Sequence, residues 1–130
     1  MNLKNLIPKD KSDIGSIEKL SQLPYPSYRP ILGDLLEWVK DINWPVSSKI
    51  IPYLITAETD IVPHIKSVLN SNDSIWKYSV LNFVVNKMPT SVIYQLRHEL
   101  ERISEKPSEE EVLEDVNTIA LNLLNKLKPE

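Results

Sequence analysis

Few residues in this chain have the type and spacing that metal binding requires. The chain has no cysteine and only two histidines, His64 and His98. The run His98-Glu-Leu-Glu101 offers neither the second histidine of a zinc-binding helix nor the paired Glu-x-x-His motifs of a di-iron bundle. We therefore expect neither a metal site nor a cofactor.

Nucleophilic and phosphate-binding motifs are equally weak. Ser-x-x-Lys occurs twice, as Ser16-Ile-Glu-Lys19 and Ser74-Ile-Trp-Lys77, without the companion motifs of a serine nucleophile. Asp73, directly before the second copy, is instead predicted to cap a helix. Gly15 and Gly33 are isolated, so neither forms a phosphate-binding loop. Gly33 is predicted either to let another helix approach closely or to be simply tolerated. We do not expect an enzyme.

The overall charge argues against nucleic acid as the main partner. The 130 residues carry a net charge of −3, and the pI is near 5.4. Domains that bind the phosphate backbone present a basic face, whereas Arg97 and Arg102 alternate with glutamates in a pattern typical of a solvated helix. With 42% hydrophobic and 25% charged residues, the composition predicts one globular domain over residues 1–130.

No segment has the pattern of a membrane span or a secretory signal. The first ten residues lack an apolar stretch long enough for a signal peptide, and no later stretch approaches about 18 uncharged apolar residues. A chain without cysteine also suits a reducing compartment. The expected location is therefore the cytoplasm, with no membrane contact.

A repeated motif indicates how the helices are organised. Asp41-Ile-Asn-Trp44 recurs 32 residues later as Asp73-Ser-Ile-Trp76. Repeats of about 30 to 45 residues are typical of two-helix units that stack into a continuous core. The two tryptophans are therefore predicted to be core anchors whose indole N–H groups meet carbonyl oxygens or nearby side chains.

Apolar residues at helical spacing predict about seven helices and no strand. The predicted limits are about 13–22, 30–41, 44–54, 60–69, 74–87 and 90–104, and a last helix begins at the capping box Ser108-Glu-Glu-Glu111 and continues to Leu127.

For four residues of these helices the sequence makes specific predictions. Asn43 is predicted to cap the third helix, and Pro52 is predicted to end or kink it. Ile75 in the fifth helix and Val112 in the last are placed on the core face.

Aromatic and charged residues of the central helices are the best candidates for partner binding. Tyrosine, tryptophan and arginine are the side chains that most often anchor protein interfaces. The candidates are Glu37, Trp38, Asp41, Tyr78, Arg97 and Arg102.

The segment from Pro30 to Val46, with Pro63-His-Ile65 and Asp73-Ser-Ile-Trp-Lys-Tyr78, resembles a small bacterial family of unknown function with HEAT-like helical pairs. The resemblance covers most of residues 20–125. It implies an all-α, α-α superhelical fold with no catalytic residues to transfer. Because HEAT-like folds are commonly protein-binding scaffolds, we expect a non-catalytic module that binds another protein or a peptide. The alternatives are an immunity-type inhibitor of a bacterial toxin and a nucleic-acid-processing HEAT-like enzyme.

Overall fold

The computed structural model describes residues 2–129, and this part of the chain is all-helical, without a strand. Its α-helices are α1 Ile14–Leu20, α2 Leu32–Leu36, α3 Pro45–Thr56, α4 Val62–Leu69, α5 Ser74–Phe83, α6 Thr90–Gln95, α7 Arg97–Glu105, α8 Glu109–Leu113 and α9 Val116–Asn125. Short 3-10 helices occupy Leu3–Leu6, Arg29–Ile31, Glu37–Val39, Glu58–Ile61 and Val85–Lys87. Within residues 2–129, no helix is long and apolar enough to cross a bilayer.

The predicted apolar stripes form much of the core. In the second segment, which runs through a 3-10 helix, α2 and another 3-10 helix, every predicted core residue is buried. These residues are Ile31, Leu32, Leu35, Leu36 and Val39. The most extensive packing between helices of the described chain joins α7 to α9.

The two last predicted helices are each divided in two. Leu96 (φ −98°, ψ 2°) separates α6 from α7, because its amide bonds the Ile93 carbonyl three residues back and tightens the turn. Asp115 has a left-handed backbone (φ 60°, ψ 22°) and separates α8 from α9. Aspartate tolerates this conformation better than most residues. The prediction of one continuous helix to Leu127 is therefore wrong.

The start and interior of α3 also differ from the prediction. Trp44, not Asn43, occupies the N-cap position, and Pro45 begins the helix with a backbone angle already suited to its first turn. Pro52 lies inside α3, which continues to Thr56, so of the two predicted effects of this proline, an end or a kink, the helix does not end there. Pro52 and Ser48 are both exposed, so water can reach the carbonyl that proline leaves without its usual donor.

The two Asp-x-x-Trp copies do not occupy matching positions. Asp73 is the N-cap of α5, and its carboxylate accepts the Trp76 amide at 3.0 Å. Trp44 instead precedes α3, and its amide bonds the Asp41 backbone carbonyl at 3.1 Å. The copies share a spacing and both tryptophans pack against the core, but each begins its helix differently.

Gly33 brings α2 and α4 close together, as predicted. A Cβ atom at this position would lie 2.9 Å from Nδ1 of His64, nearer than real Cβ contacts come. A side chain at position 33 would therefore require the imidazole ring to move.

Candidate functional site

Three large apolar side chains are exposed near one another on α5 and α8. Ile75 is 59% exposed, Val112 47% and Leu113 78%. Ile75 and Leu113 line one open groove of about 690 Å³, and Leu113 and Val112 line an adjoining hollow of about 390 Å³. The residues that line the larger groove are Lys40, residues 71–76, Glu110, Leu113 and Glu114. We call it the acidic groove, because its lining holds three carboxylates and one ammonium group.

The prediction that Ile75 faces the core is wrong, because α5 turns another side inward. Ser74 and Lys77 are both buried, as are Leu81 and Val84 further along the chain. Residues three or four apart share a helix face, so this buried stripe leaves Ile75 on the opposite side.

The prediction for Val112 is wrong because the helix breaks after it. In a continuous helix, Val112 would share the stripe of Val116, one turn later. The left-handed residue Asp115 redirects the chain between them, so Val116 is buried in α9 while Val112 is left exposed at the end of α8.

A buried carboxylate holds α8 against α5 and α7. The Glu111 side chain is 1% exposed, and its Oε2 accepts a hydrogen bond from Nζ of Lys77 at 3.0 Å. Each of the two terminal nitrogens of Arg102 donates a hydrogen bond to the same carboxylate, at 2.6 and 2.8 Å. The Ser108 amide donates at 2.8 Å and completes the predicted capping box, which is confirmed. We call Lys77, Arg102 and Glu111 the ion triad.

The ion triad keeps Glu111 ionised despite its burial. Burial alone raises the pKa of a carboxyl group, because it penalises the charged form. Hydrogen bonds from Arg102, the Ser108 amide and Lys77 outweigh that effect and lower the pKa of Glu111 from 4.5 to about 2. A buried charge with this many donors fixes the wall of the acidic groove that α8 provides.

Trp76, on α5, fixes the wall of the groove that faces α8. Its indole N–H donates to the Leu36 carbonyl at 3.1 Å, which confirms the predicted role of this tryptophan. The ammonium of Lys40 lies 4.6 Å from the centre of the indole ring, in cation–π contact. The one basic side chain of the groove therefore already has an intramolecular partner.

Unlike Lys40, which contacts Trp76, the two glutamates that line the groove have no ion-pair partner among residues 2–129. Glu110 and Glu114 are exposed and lie one helical turn apart, so their carboxylates repel each other. None of the ion pairs within residues 2–129 involves either of them. The acidic groove is therefore suited to a cationic group.

The sequence-predicted candidates of the second segment follow α2 along the chain. Glu37 is exposed, and Trp38 packs edge-on against Trp44 with ring centres 5.7 Å apart. The Asp41 carboxylate accepts the Asn43 amide at 2.8 Å.

The remaining candidates have separate contacts. Tyr78 packs, partly buried, against the core. Arg97 stacks on Tyr94 at 4.1 Å, and Arg102 binds Glu111 in the ion triad. None of the six candidates belongs to the described lining of the acidic groove, so their part in partner binding stays a prediction.

Sequence reasoning missed the exposed apolar residues themselves. No local signal marked Leu113 as exposed, because it lies three residues before Val116 and seven before Ala120, at the helical spacing of a core residue.

Comparison with known proteins places the chain in a family. Within residues 2–129, no group of three histidine, aspartate or glutamate side chains is arranged to hold a metal ion. No curated protein matches the sequence. A family model described as a domain of unknown function, DUF5071, matches residues 6–124. This agrees with the resemblance to a family of unknown function, and because the match covers most of the chain, the protein belongs to the DUF5071 family.

Proposed function

We propose that this protein is a non-catalytic module that binds another protein or a peptide, and that the acidic groove is its binding surface. The observation that carries this proposal is the exposure of Ile75 and Leu113 on two walls of one groove. Exposed apolar side chains that cluster within a polar rim are typical of protein interaction sites.

The rigidity of the groove supports the same proposal. The ion triad joins α8 to α5 and α7, and the bond from Trp76 to Leu36 joins α5 to α2. A surface held in place before binding loses less conformational entropy when a partner docks.

The acidic lining also ranks the alternative functions. An immunity-type inhibitor of a bacterial toxin is a second proposal, which the groove supports if the toxin presents a basic surface. A nucleic-acid-processing enzyme is disfavoured, because the groove carboxylates of Glu110 and Glu114 repel phosphate.

The finer fold and the location are part of the proposal. We propose that the helices form HEAT-like pairs in an α-α superhelix, which the extensive packing of α7 on α9 supports. A bacterial origin and a cytoplasmic location remain proposals that rest on the resemblance and on the absence of cysteine from the sequence.

The test uses a photo-crosslinking amino acid in place of Leu113. The matched control carries the same amino acid at Leu121, which is 50% exposed on α9 and lies outside the acidic groove. Each variant is expressed in cells that produce the protein, and crosslinked proteins are identified by mass spectrometry. We expect a specific protein to crosslink at position 113 and not at position 121.

Binding of the purified partner then decides the proposal. Leu113→Glu is expected to weaken its affinity at least about tenfold, while Leu121→Glu leaves the affinity within about twofold. Equal effects of the two substitutions would place the binding surface elsewhere. Catalytic turnover by the purified protein would overturn the non-catalytic assignment.

A further inference from the structure

We infer that the acidic groove receives an amphipathic helix of a partner protein that carries basic residues beside its apolar stripe. This inference rests on the proposed function and specifies the chemistry of the partner. Three features of the groove lead to it: its unpaired carboxylates, its exposed apolar side chains, and its walls at the start of α5 and on α8.

The carboxylates define the charge of the partner. Glu110 and Glu114 face the groove one helical turn apart, and no ion pair among residues 2–129 neutralises them. The Asp73 carboxylate adds a third negative charge, although it also caps α5. A lysine or arginine placed between Glu110 and Glu114 relieves their mutual repulsion, whereas an acidic partner increases it.

Lys40 does not cancel this preference. Its ammonium lies over the Trp76 ring, 4.6 Å from the ring centre, on the side of the groove that Trp76 forms. The carboxylates of Glu110 and Glu114 belong to α8, the other wall. The groove is therefore negative along α8, and a partner is oriented with its basic residues on that side.

The apolar side chains define the rest of the partner. Leu113 and Ile75 are the most exposed aliphatic residues that line the groove, and Val112 continues the apolar surface into the adjoining hollow. A partner covers these residues only with apolar side chains of its own. The ligand must therefore combine apolar and basic residues on one face.

The shape of the site favours a helical ligand. One wall is the turn at residues 71–73 with the first turn of α5, and the other is the short helix α8; an amphipathic helix laid in an apolar groove is a common mode of peptide recognition. On such a ligand, apolar anchors three or four residues apart share a face, and basic residues one position away flank it.

A display library of random peptides of about 12 residues, or about 18 Å of helix, tests the inference without assuming a sequence. The bait is the whole chain. We expect the selected peptides to be rich in lysine and arginine, with leucine, isoleucine or phenylalanine at helical spacing. Amide shifts in a nuclear magnetic resonance titration are expected to map to residues 73–77 and 110–114.

A charge-matched pair of variants provides the decisive comparison. Glu110→Gln combined with Glu114→Gln is expected to lower the affinity for the selected peptides at least about tenfold and to reduce the salt dependence of binding. Glu101→Gln combined with Glu105→Gln is the control, since these exposed glutamates are also four residues apart, on α7. We expect the control to bind within about twofold of the original chain.

Three outcomes overturn the inference: selection of acidic or neutral peptides, failure to select any peptide that binds the groove, and equal effects of the two double variants. The proposed function fails separately. A partner that crosslinks at Leu113 and depends on Leu113, yet binds the Glu110 and Glu114 variant unchanged, retains the binding function and rejects the basic helix.

Discussion

Replacing Glu111 by glutamine removes the negative charge that Lys77 and Arg102 share. Glutamine has nearly the same shape and can still accept from the Ser108 amide, so the change acts mainly on the ion triad. It leaves the buried Lys77 ammonium without a counter-charge. Loss of one member of a buried ion pair is strongly destabilising for this reason.

The depressed pKa gives the size of the effect. The pKa of Glu111 is about 2 in the folded chain, against an ordinary value of 4.5. Since one pKa unit corresponds to about 1.4 kcal/mol, the carboxylate contributes about 3 kcal/mol to the free energy of unfolding. The folded-state pKa is the lower one, so this contribution is complete above pH 4.5 and is lost as the pH falls towards 2.

Urea unfolding, followed by far-UV circular dichroism from pH 7 down to about pH 3, measures this contribution. We expect Glu111→Gln to be about 3 kcal/mol less stable than the original chain at pH 7, with a deficit that shrinks below pH 4.5. The control Glu101→Gln, at an exposed position, should change stability by less than about 0.5 kcal/mol.

Two results would refute the reasoning. Equal stability of Glu111→Gln and the original chain at neutral pH would show that the ion triad contributes nothing. A deficit that stays constant down to about pH 3 would show that packing, and not the carboxylate charge, causes the loss.

Three further predictions concern other parts of the fold. Gly33→Ala should destabilise the chain by about 1 kcal/mol in thermal unfolding, because the new methyl group contacts the His64 ring. In a His64→Ala background the same change should be neutral or stabilising, since the ring is absent and alanine favours the helix. Trp76→Phe should cost about 1 kcal/mol in urea unfolding, because the Leu36 carbonyl loses its donor; an unchanged midpoint would contradict this. Burial and a hydrogen bond to a carboxylate raise the pKa of Tyr25 to about 12, and burial also raises the pKa of Tyr28. An ultraviolet titration should therefore show late tyrosines of which Tyr25→Phe removes one, and the stabilisation by Tyr25 should be lost as pH rises from 10 towards 12.

Local signals in the sequence were sufficient for the starts of α5 and α8. The capping box of Ser108 and Glu111 and the cap at Asp73 depend on residues three apart, so their geometry follows from spacing alone. The predicted core of the second segment was also correct, since five apolar residues at helical spacing leave one face for burial.

The acidic groove was not predictable in the same way, because it depends on distant contacts. Lys77 and Glu111 are 34 residues apart, and nothing in the neighbourhood of either residue indicates that they meet. That contact satisfies the charge of the buried Lys77, which belongs to the stripe of α5 that leaves Ile75 on the outer side. The left-handed residue Asp115 likewise decides whether Val112 is buried, and its backbone angle does not follow from apolar periodicity.

The brevity of α8 has a consequence for how the chain opens and closes. Five residues make too few hydrogen bonds for a helix to persist alone, so α8 survives because Glu111 is docked between Lys77 and Arg102. Detachment of α8 exposes the Glu111 carboxylate and its two cationic partners to water but exposes little apolar surface. Separation of α7 from α9, by contrast, requires the loss of packing between aliphatic side chains. Detachment of α8 therefore becomes easier as the pH falls from 4.5 towards 2 and Glu111 takes up a proton.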